Sequence, residues 1–135
     1  MKTISLLERT FYLLGSILIF LGILLGAFGA HALKEILDPI QLISFKTGVR
    51  YQIFGGVFMF LFGFLSTKVD QIKIPGYLVF AGVLLFSLSI YFLNLRHYIG
   101  MECDCFKPLG IITPIGGSMI IIGWLLVIIR IFRTK

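Results

Sequence analysis

Charged residues are scarce in this sequence, and the few that occur avoid its long apolar runs. Of the 135 residues, 13% are charged and 59% are hydrophobic, and the mean hydropathy is +1.05. Soluble domains usually carry about 25% charged residues. So few charges exclude a soluble globular domain and indicate an integral membrane protein. Segments of alternating apolar and polar residues are also lacking, which argues against a transmembrane barrel.

Four apolar runs are long enough to cross a hydrocarbon core of about 30 Å at about 1.5 Å per residue. They predict an all-α fold, an integral membrane four-helix bundle. We expect a single membrane domain, 1–135, with spans at roughly 11–30, 49–65, 74–95 and 109–131. The first run exceeds the apolar core of about 7–15 residues in a signal peptide, so we expect it to remain as a span.

Basic residues are unevenly distributed between the two ends of these spans. Four spans place both termini and the loop around Asp70 on one side. That side holds seven basic residues and the other side five: Lys2, Arg9, Lys68, Lys73, Arg130, Arg133 and Lys135 against Lys34, Lys46, Arg50, Arg96 and Lys107. The positive-inside rule therefore predicts a multi-pass membrane protein with cytoplasmic termini. Anchoring charges also explain the net charge of +6, and no nucleic acid partner is expected.

The segment between the first two spans has helical features of its own. In "HALKEILDPIQLISFKTG" the Leu and Ile residues recur at helical spacing. Asp38, Pro39 and Gln41 form a capping-box pattern, and Gly48 fits a helix C-terminus. We therefore predict a short extramembrane amphipathic helix that starts after Asp38 and lies on the outer surface.

Glycines recur on single faces of the predicted helices. Small residues on one face let a second helix approach closely. This second helix belongs either to the same chain or to another copy, and in the latter case the glycine faces form a homo-oligomer. The other predicted partner is membrane lipid. The glycines concerned are Gly15, Gly22, Gly26 and Gly29 in the first span, Gly56 and Gly63 in the second, and Gly116 and Gly123 in the fourth.

Polar residues concentrate in the outer halves of the spans. Polar groups in hydrocarbon need partners, so we expect these residues to lie together. Two interpretations stay open: an internal hydrogen-bond cluster that fixes helix register, or a small pocket for a lipid headgroup or small solute. The candidate ligand-binding residues are His31, Arg50, Tyr51, Gln52, Ser87, Ser89, Asn94 and Thr113.

Four motifs together resemble one known family. "GAFGAHALK", "FKTGVRYQ", "LFSLSIY" and "ITPIGG" followed by "GW" are similar, in this order and over nearly the whole chain, to family 423 of the domains of unknown function. This resemblance implies a small four-span protein of the plasma (bacterial inner) membrane without an established biochemical activity. Two departures stand out: Ile53-Phe54-Gly55 follows Tyr-Gln where the family usually has an aromatic residue and then His, and Leu88 separates two serines where the family often has Gly. A mechanism that needs a second histidine in span two is therefore not expected.

Known chemistries fit the remaining residues poorly. Cys103 and Cys105, in the predicted outer loop, are either inert thiols or a local, strained disulfide. Their spacing matches no standard zinc pattern, so no metal is expected. The apolar runs contain no acid for proton-coupled transport, and the serines with His31 lack an orienting acid.

We therefore expect no cofactor and no enzyme. The predicted function is that of a small membrane protein of unknown role that binds a lipid or small ligand through its polar cluster. A transporter or channel-like oligomer is one alternative, and a redox or metal role of the Cys-x-Cys loop is another.

Overall fold

The structure, a computed structural model, describes residues 3–96, 98–100 and 109–133. Its elements are, in chain order, α1 (Leu6–Ala30), a 3-10 helix (Leu33–Glu35), α2 (Pro39–Leu65), α3 (Lys73–Leu95) and α4 (Ile112–Arg133). All four α-helices are long and apolar enough to cross a membrane. The predicted all-α, four-helix membrane fold is thus confirmed, and the described residues include no strand.

The cap at the start of α2 forms as the sequence predicts. Oδ1 of Asp38 accepts hydrogen bonds from the backbone N–H groups of Ile40, at 2.8 Å, and Gln41, at 2.9 Å. Gln41 Oε1 in turn accepts from the backbone N–H of Asp38 at 3.1 Å. This reciprocal capping box satisfies backbone donors that lack an intrahelical partner in the first turn.

The predicted short amphipathic helix on the outer surface is wrong. α2 continues without a break from Pro39 to Leu65, so the amphipathic segment forms the first turns of the second span. Gly48 does not end a helix, because a glycine at that position would take a positive φ, and among the described glycines only Gly100 does so. The second span therefore begins about ten residues before the predicted start at 49.

The helices pack in chain order, α1 against α2, α2 against α3, and α3 against α4. In the central helices 44% of the membrane-spanning window is buried, compared with 22% in α1 and in α4. The flanking helices therefore present wide surfaces to lipid. We call the end of the bundle that holds residues 31–38 and the start of α4 the connection end. The opposite end, which holds both chain termini and residues 66–72, is the terminal end.

Glycine pairs bring the helices of each hairpin into backbone contact. A Cβ atom added to Gly56 of α2 would lie 2.8 Å from the carbonyl oxygen of Gly15 in α1. A Cβ added to Gly116 of α4 would lie 2.8 Å from the carbonyl oxygen of Gly82 in α3. These glycine faces therefore pack within the chain, as one of the two interpretations expects. A homo-oligomer stays a prediction, without these glycines as its support.

The larger apolar core fills the terminal half of the bundle. Trp124 of α4 packs edge-on against Phe58 and tilted against Phe62, at centroid distances of 5.0 and 5.5 Å. The fully or nearly fully buried side chains of this core include Phe11, Met59, Phe62, Val79 and Val127. A smaller apolar cluster, with Phe45 and Tyr91, lies near the connection end. Three of the polar residues singled out by the sequence, Gln52, Ser87 and Asn94, lie beside this smaller cluster.

Candidate functional site

Gln52 connects three helices in the interior of the bundle. Its side chain is 5% exposed, and its Nε2 donates a hydrogen bond of 3.1 Å to the carbonyl oxygen of Leu18 in α1. The hydroxyl of Tyr91 in α3 donates to Gln52 Oε1 at 2.8 Å. Both ends of the Gln52 amide are therefore engaged by protein atoms.

Two further side chains of α3 bind α2. Ser87, which is 1% exposed, donates through Oγ to the carbonyl oxygen of Gly48 at 2.9 Å. Asn94 donates through Nδ2 to Ser44 Oγ at 3.1 Å and to the Ile90 carbonyl oxygen at 2.7 Å. Gly48 makes this close approach feasible, since a Cβ there would lie 2.8 Å from Cε1 of Tyr91.

A fourth interaction extends the network to α4. Ser89 Oγ lies 2.7 Å from Thr113 Oγ1, and either hydroxyl can be the donor. Ser89 Oγ also lies 2.9 Å from the carbonyl oxygen of Phe86, as a donor to it. Only one hydroxyl proton is available on Ser89, so when Ser89 donates to Phe86, Thr113 donates to Ser89.

Together these residues form a polar layer near the connection end that joins all four helices. The layer consists of Ser44, Gln52, Ser87, Ser89, Tyr91, Asn94 and Thr113. It contains five of the eight predicted site residues, and the hydrogen bonds of those five run to other helices or to nearby carbonyl groups. Satisfied interior hydrogen bonds fix the register of neighbouring helices. The arrangement therefore has the geometry of a structural hydrogen-bond network that holds the helices in register.

The other three predicted residues lie outside this layer. His31 is exposed and caps the C-terminus of α1, where its backbone N–H donates to the Ala27 carbonyl oxygen. Arg50 is exposed on α2. Tyr51 is 38% exposed, and its ring packs against Phe86 at a centroid distance of 4.5 Å. The structure thus divides the predicted site into an interior layer and three peripheral residues.

Arg50 belongs to the lipid-facing side of α2. Phe54, Val57 and Leu61 follow it at intervals of four, three and four residues, which places all of them on one helix face. These three side chains are between 45% and 48% exposed. The Arg50 guanidinium therefore stands one turn after the exposed Lys46 on the same face, at the point where the apolar part of this face begins. Within the part of the chain that the structure describes, Arg50 has no hydrogen bond or ion pair.

The predicted site omitted Tyr91 and Ser44. Tyr91 follows Ser87 by four residues and precedes Asn94 by three, so the three polar side chains share one face of α3. This spacing was a usable signal for Tyr91. Ser44 offers no such signal, because the capping pattern at Asp38 predicts a separate surface helix that contains it, outside the second span.

Cys103 and Cys105, predicted to be either inert thiols or a local disulfide, lie outside the described residues. Among the described residues no group of three His, Cys, Asp or Glu side chains is placed to hold a metal ion.

Four apolar helices and an interior polar layer define a multi-pass helical membrane protein. The chain belongs to the family described as "Protein of unknown function (DUF423)", whose sequence profile matches residues 25–117. It is 35% identical to the UPF0382 membrane protein SAB0533 of Staphylococcus aureus over 93% of this chain and 97% of that protein. It is also 35% identical to the UPF0382 membrane protein YwdK of Bacillus subtilis, over 90% of this chain and 94% of that protein. No solved structure matches the chain.

These comparisons confirm the family that the motifs indicated. The relatives are named as membrane proteins, in agreement with the four apolar helices. The shared family description is one of unknown function, so a specific role has to be argued from the residues of the chain itself.

Proposed function

We propose that this protein is a non-enzymatic membrane component that binds the anionic headgroup of a membrane lipid through Arg50. The observation that carries the proposal is the exposed guanidinium on the lipid-facing side of α2, without a carboxylate partner among the described residues. Lipid phosphate is the anion that a membrane supplies at such a position. A guanidinium can bind it with two parallel charge-assisted hydrogen bonds.

The depth of Arg50 in α2 supports a headgroup contact. α2 has 27 residues and is therefore about 40 Å long, whereas the hydrocarbon core is about 30 Å thick. Arg50 lies eleven residues after Pro39, about 16 Å from the start of the helix. With the excess length of about 10 Å at the connection end, the Cα of Arg50 lies about 6 Å inside the hydrocarbon core. Its long side chain leans toward the N-terminus of α2 and so extends the charge toward the interface while its methylene groups stay buried. The guanidinium then reaches the level of lipid phosphates on the connection side.

The polar layer is a weaker candidate for ligand binding. Gln52 and Tyr91 already engage each other, and Gln52 also binds α1. A ligand would have to replace these hydrogen bonds, which costs free energy unless it restores each of them. We therefore assign the layer a structural role and place lipid binding at the surface.

The apolar core argues against conduction through a single chain. Met59, Phe62 and Val79 are fully buried in the terminal half of the bundle. A conducting path needs polar groups along its whole length. The buried polar side chains of the described residues, Gln52, Ser87, Ser89 and Asn94, all belong to the polar layer.

We further propose the plasma membrane of a bacterium as the location, with the termini in the cytoplasm. The relatives are bacterial membrane proteins, and the excess of basic residues lies on the side of the termini. A reporter pair that is active on opposite sides of the membrane, fused after residue 135, tests this orientation. Activity of the external reporter alone would contradict it.

Native mass spectrometry of the detergent-released protein tests lipid binding directly. The protein is mixed with phosphatidylglycerol, which is anionic, or with phosphatidylcholine, which is zwitterionic. We expect wild type to retain more phosphatidylglycerol than phosphatidylcholine. Arg50→Gln should bind phosphatidylglycerol at this site about tenfold more weakly than wild type does.

Arg9→Gln is the matched control, because Arg9 is also exposed on a spanning helix but lies at the terminal end. It should leave the connection-side adduct unchanged. A folded Arg50→Gln protein that retains phosphatidylglycerol as wild type does would overturn the proposal.

A further inference from the structure

A groove opens on the membrane-facing surface between α3 and the start of α4. Its volume is about 410 Å³. It is lined by the apolar side chains of Leu84, Leu85, Leu88, Phe92, Leu109 and Ile112. Leu88, in the middle of this surface, is 56% exposed.

Ser89, the one polar side chain among the described residues that line the groove, is already hydrogen-bonded. Ser89 Oγ lies between Thr113 Oγ1 at 2.7 Å and the Phe86 carbonyl oxygen at 2.9 Å. It therefore offers little to a polar solute. An apolar occupant fits this lining better, because it leaves no polar group without a partner.

Arg96 stands at the connection end of the same groove. It follows Phe92 by four residues and Ser89 by seven, so the three residues share one face of α3. Side chains on a helix lean toward its N-terminus, so the side chain of Arg96 leans in the direction of the groove, although Arg96 is not among the residues that line it. Its Nε is buried and has no hydrogen-bond partner among the described residues. A buried guanidinium nitrogen without a partner is costly, and an anion bound at the terminal nitrogens of this partly exposed residue would offset that cost by pairing the charge.

The distance between the two features matches one leaflet of a bilayer. Leu85 lies near the middle of the 23-residue helix α3, and Arg96 follows it by eleven residues. Eleven residues correspond to about 16 Å along a helix, and half of the hydrocarbon core is about 15 Å. An acyl chain in the groove therefore places its headgroup beside Arg96.

We propose that this groove binds one acyl chain of an anionic glycerophospholipid whose phosphate binds Arg96. The site is separate from the Arg50 contact. Ser87, Tyr91 and Asn94 turn one face of α3 toward α2, and the groove residues lie on another face of α3. The two lipid contacts thus occupy different surfaces, and neither requires the other.

Native mass spectrometry with phosphatidylglycerol and phosphatidylcholine also tests this site, with two variants of the full chain. Arg96→Gln removes the charge, and we expect it to weaken retention of one phosphatidylglycerol about tenfold. Retention of phosphatidylcholine should change less, because its choline cation offsets the charge of its phosphate. Leu88→Trp fills the groove with a larger side chain, and we expect it to displace the same phosphatidylglycerol although Arg96 is intact.

Each variant has a matched control. Lys34→Gln removes an exposed charge at the same end of the bundle, and Leu13→Trp enlarges an exposed apolar residue of α1 outside the groove. Both controls should bind phosphatidylglycerol as wild type does. Inorganic phosphate should not compete with the lipid, because it lacks the acyl chain. The thermal unfolding midpoint in detergent shows whether each variant is folded.

The outcomes separate this proposal from the Arg50 contact. Loss of an adduct in Arg96→Gln and Leu88→Trp supports the groove, whatever Arg50→Gln does. Wild-type retention in a folded Arg96→Gln or Leu88→Trp protein overturns it. Loss of a phosphatidylglycerol adduct in Arg50→Gln alone would support the proposed function and rule out the groove as a lipid-binding site.

Discussion

The hydroxyl of Tyr91 donates a hydrogen bond of 2.8 Å to Oε1 of Gln52, and this contact joins the two central helices inside the bundle. Gln52 continues the chain of hydrogen bonds to the Leu18 carbonyl oxygen at 3.1 Å. Three helices therefore depend on the orientation of one amide. Loss of either partner leaves a polar atom in apolar surroundings.

Removal of the Tyr91 hydroxyl should destabilise the protein measurably. Interhelical hydrogen bonds in membrane proteins contribute about 0.6 kcal/mol on average and about 1.7 kcal/mol at most. We expect Tyr91→Phe to lower the free energy of unfolding by about 1 kcal/mol, because Gln52 Oε1 loses its donor. Reversible unfolding in mixed micelles measures the change.

Tyr51→Phe is the matched control, since it keeps the ring packed against Phe86 and the residue lies at the surface. It should change the free energy of unfolding by less than about 0.5 kcal/mol. Equal effects of the two substitutions would contradict a special role of the interior contact.

Two adjacent glycines of α4 should respond in opposite ways to alanine. A Cβ on Gly116 would lie 2.5 Å from the backbone nitrogen of Phe86, so the helices would have to separate. A Cβ on Gly117 would meet only Phe86 ring atoms at 3.7 Å, an ordinary contact. We expect Gly116→Ala to cost about 1–3 kcal/mol, and Gly117→Ala to be neutral or to stabilise by up to about 1 kcal/mol through helix propensity. Thermal unfolding in detergent gives the sign of the stability change. Comparable losses of stability in both variants would contradict the close contact of α3 and α4 at Gly116.

The capping box at Asp38 should govern the first turn of α2. Asp38→Ala removes the acceptor for two backbone N–H groups, and loss of such a cap costs about 0.5–2 kcal/mol. We expect faster hydrogen exchange at Ile40 and Gln41, and unchanged exchange from Gly48 onward. Asp70→Ala is the control, because it removes an exposed carboxylate from the loop between α2 and α3, at the terminal end of the bundle. Fast exchange at Gly48 in wild type would instead indicate two helices in place of the continuous α2.

Local sequence predicted the start of α2 correctly but not its continuation. The cap depends on Asp38 and its near neighbours, and these are adjacent in sequence. The role of Gly48 depends on Tyr91, which is distant in sequence and packs where a Cβ would be. The same glycine is compatible with a helix end or with a close helix contact, and only the tertiary structure distinguishes the two.

The candidate site was predicted in part for a similar reason. Arg50, Tyr51 and Gln52 are consecutive, and successive residues on a helix point about 100° apart. They cannot all face one pocket, and only Gln52 faces the interior. The sequence predicted the end of the bundle where polar residues gather. The faces that they occupy depend on the packing of α2 between α1 and α3.

Substitution of Ser87 distinguishes a structural role of the polar layer from a role in ligand binding. Ser87 Oγ donates to the Gly48 carbonyl oxygen in α2, whereas Ser118, which is exposed on α4, donates to Pro114 in its own helix. If the layer is structural, Ser87→Ala should lower the free energy of unfolding by about 0.6–1.7 kcal/mol and leave lipid adducts unchanged. Ser118→Ala removes the same atoms from a surface position and should have almost no effect, so the pair isolates the interhelical contact. If Ser87→Ala instead abolishes an adduct at wild-type stability, the layer binds a ligand, and its structural assignment is wrong.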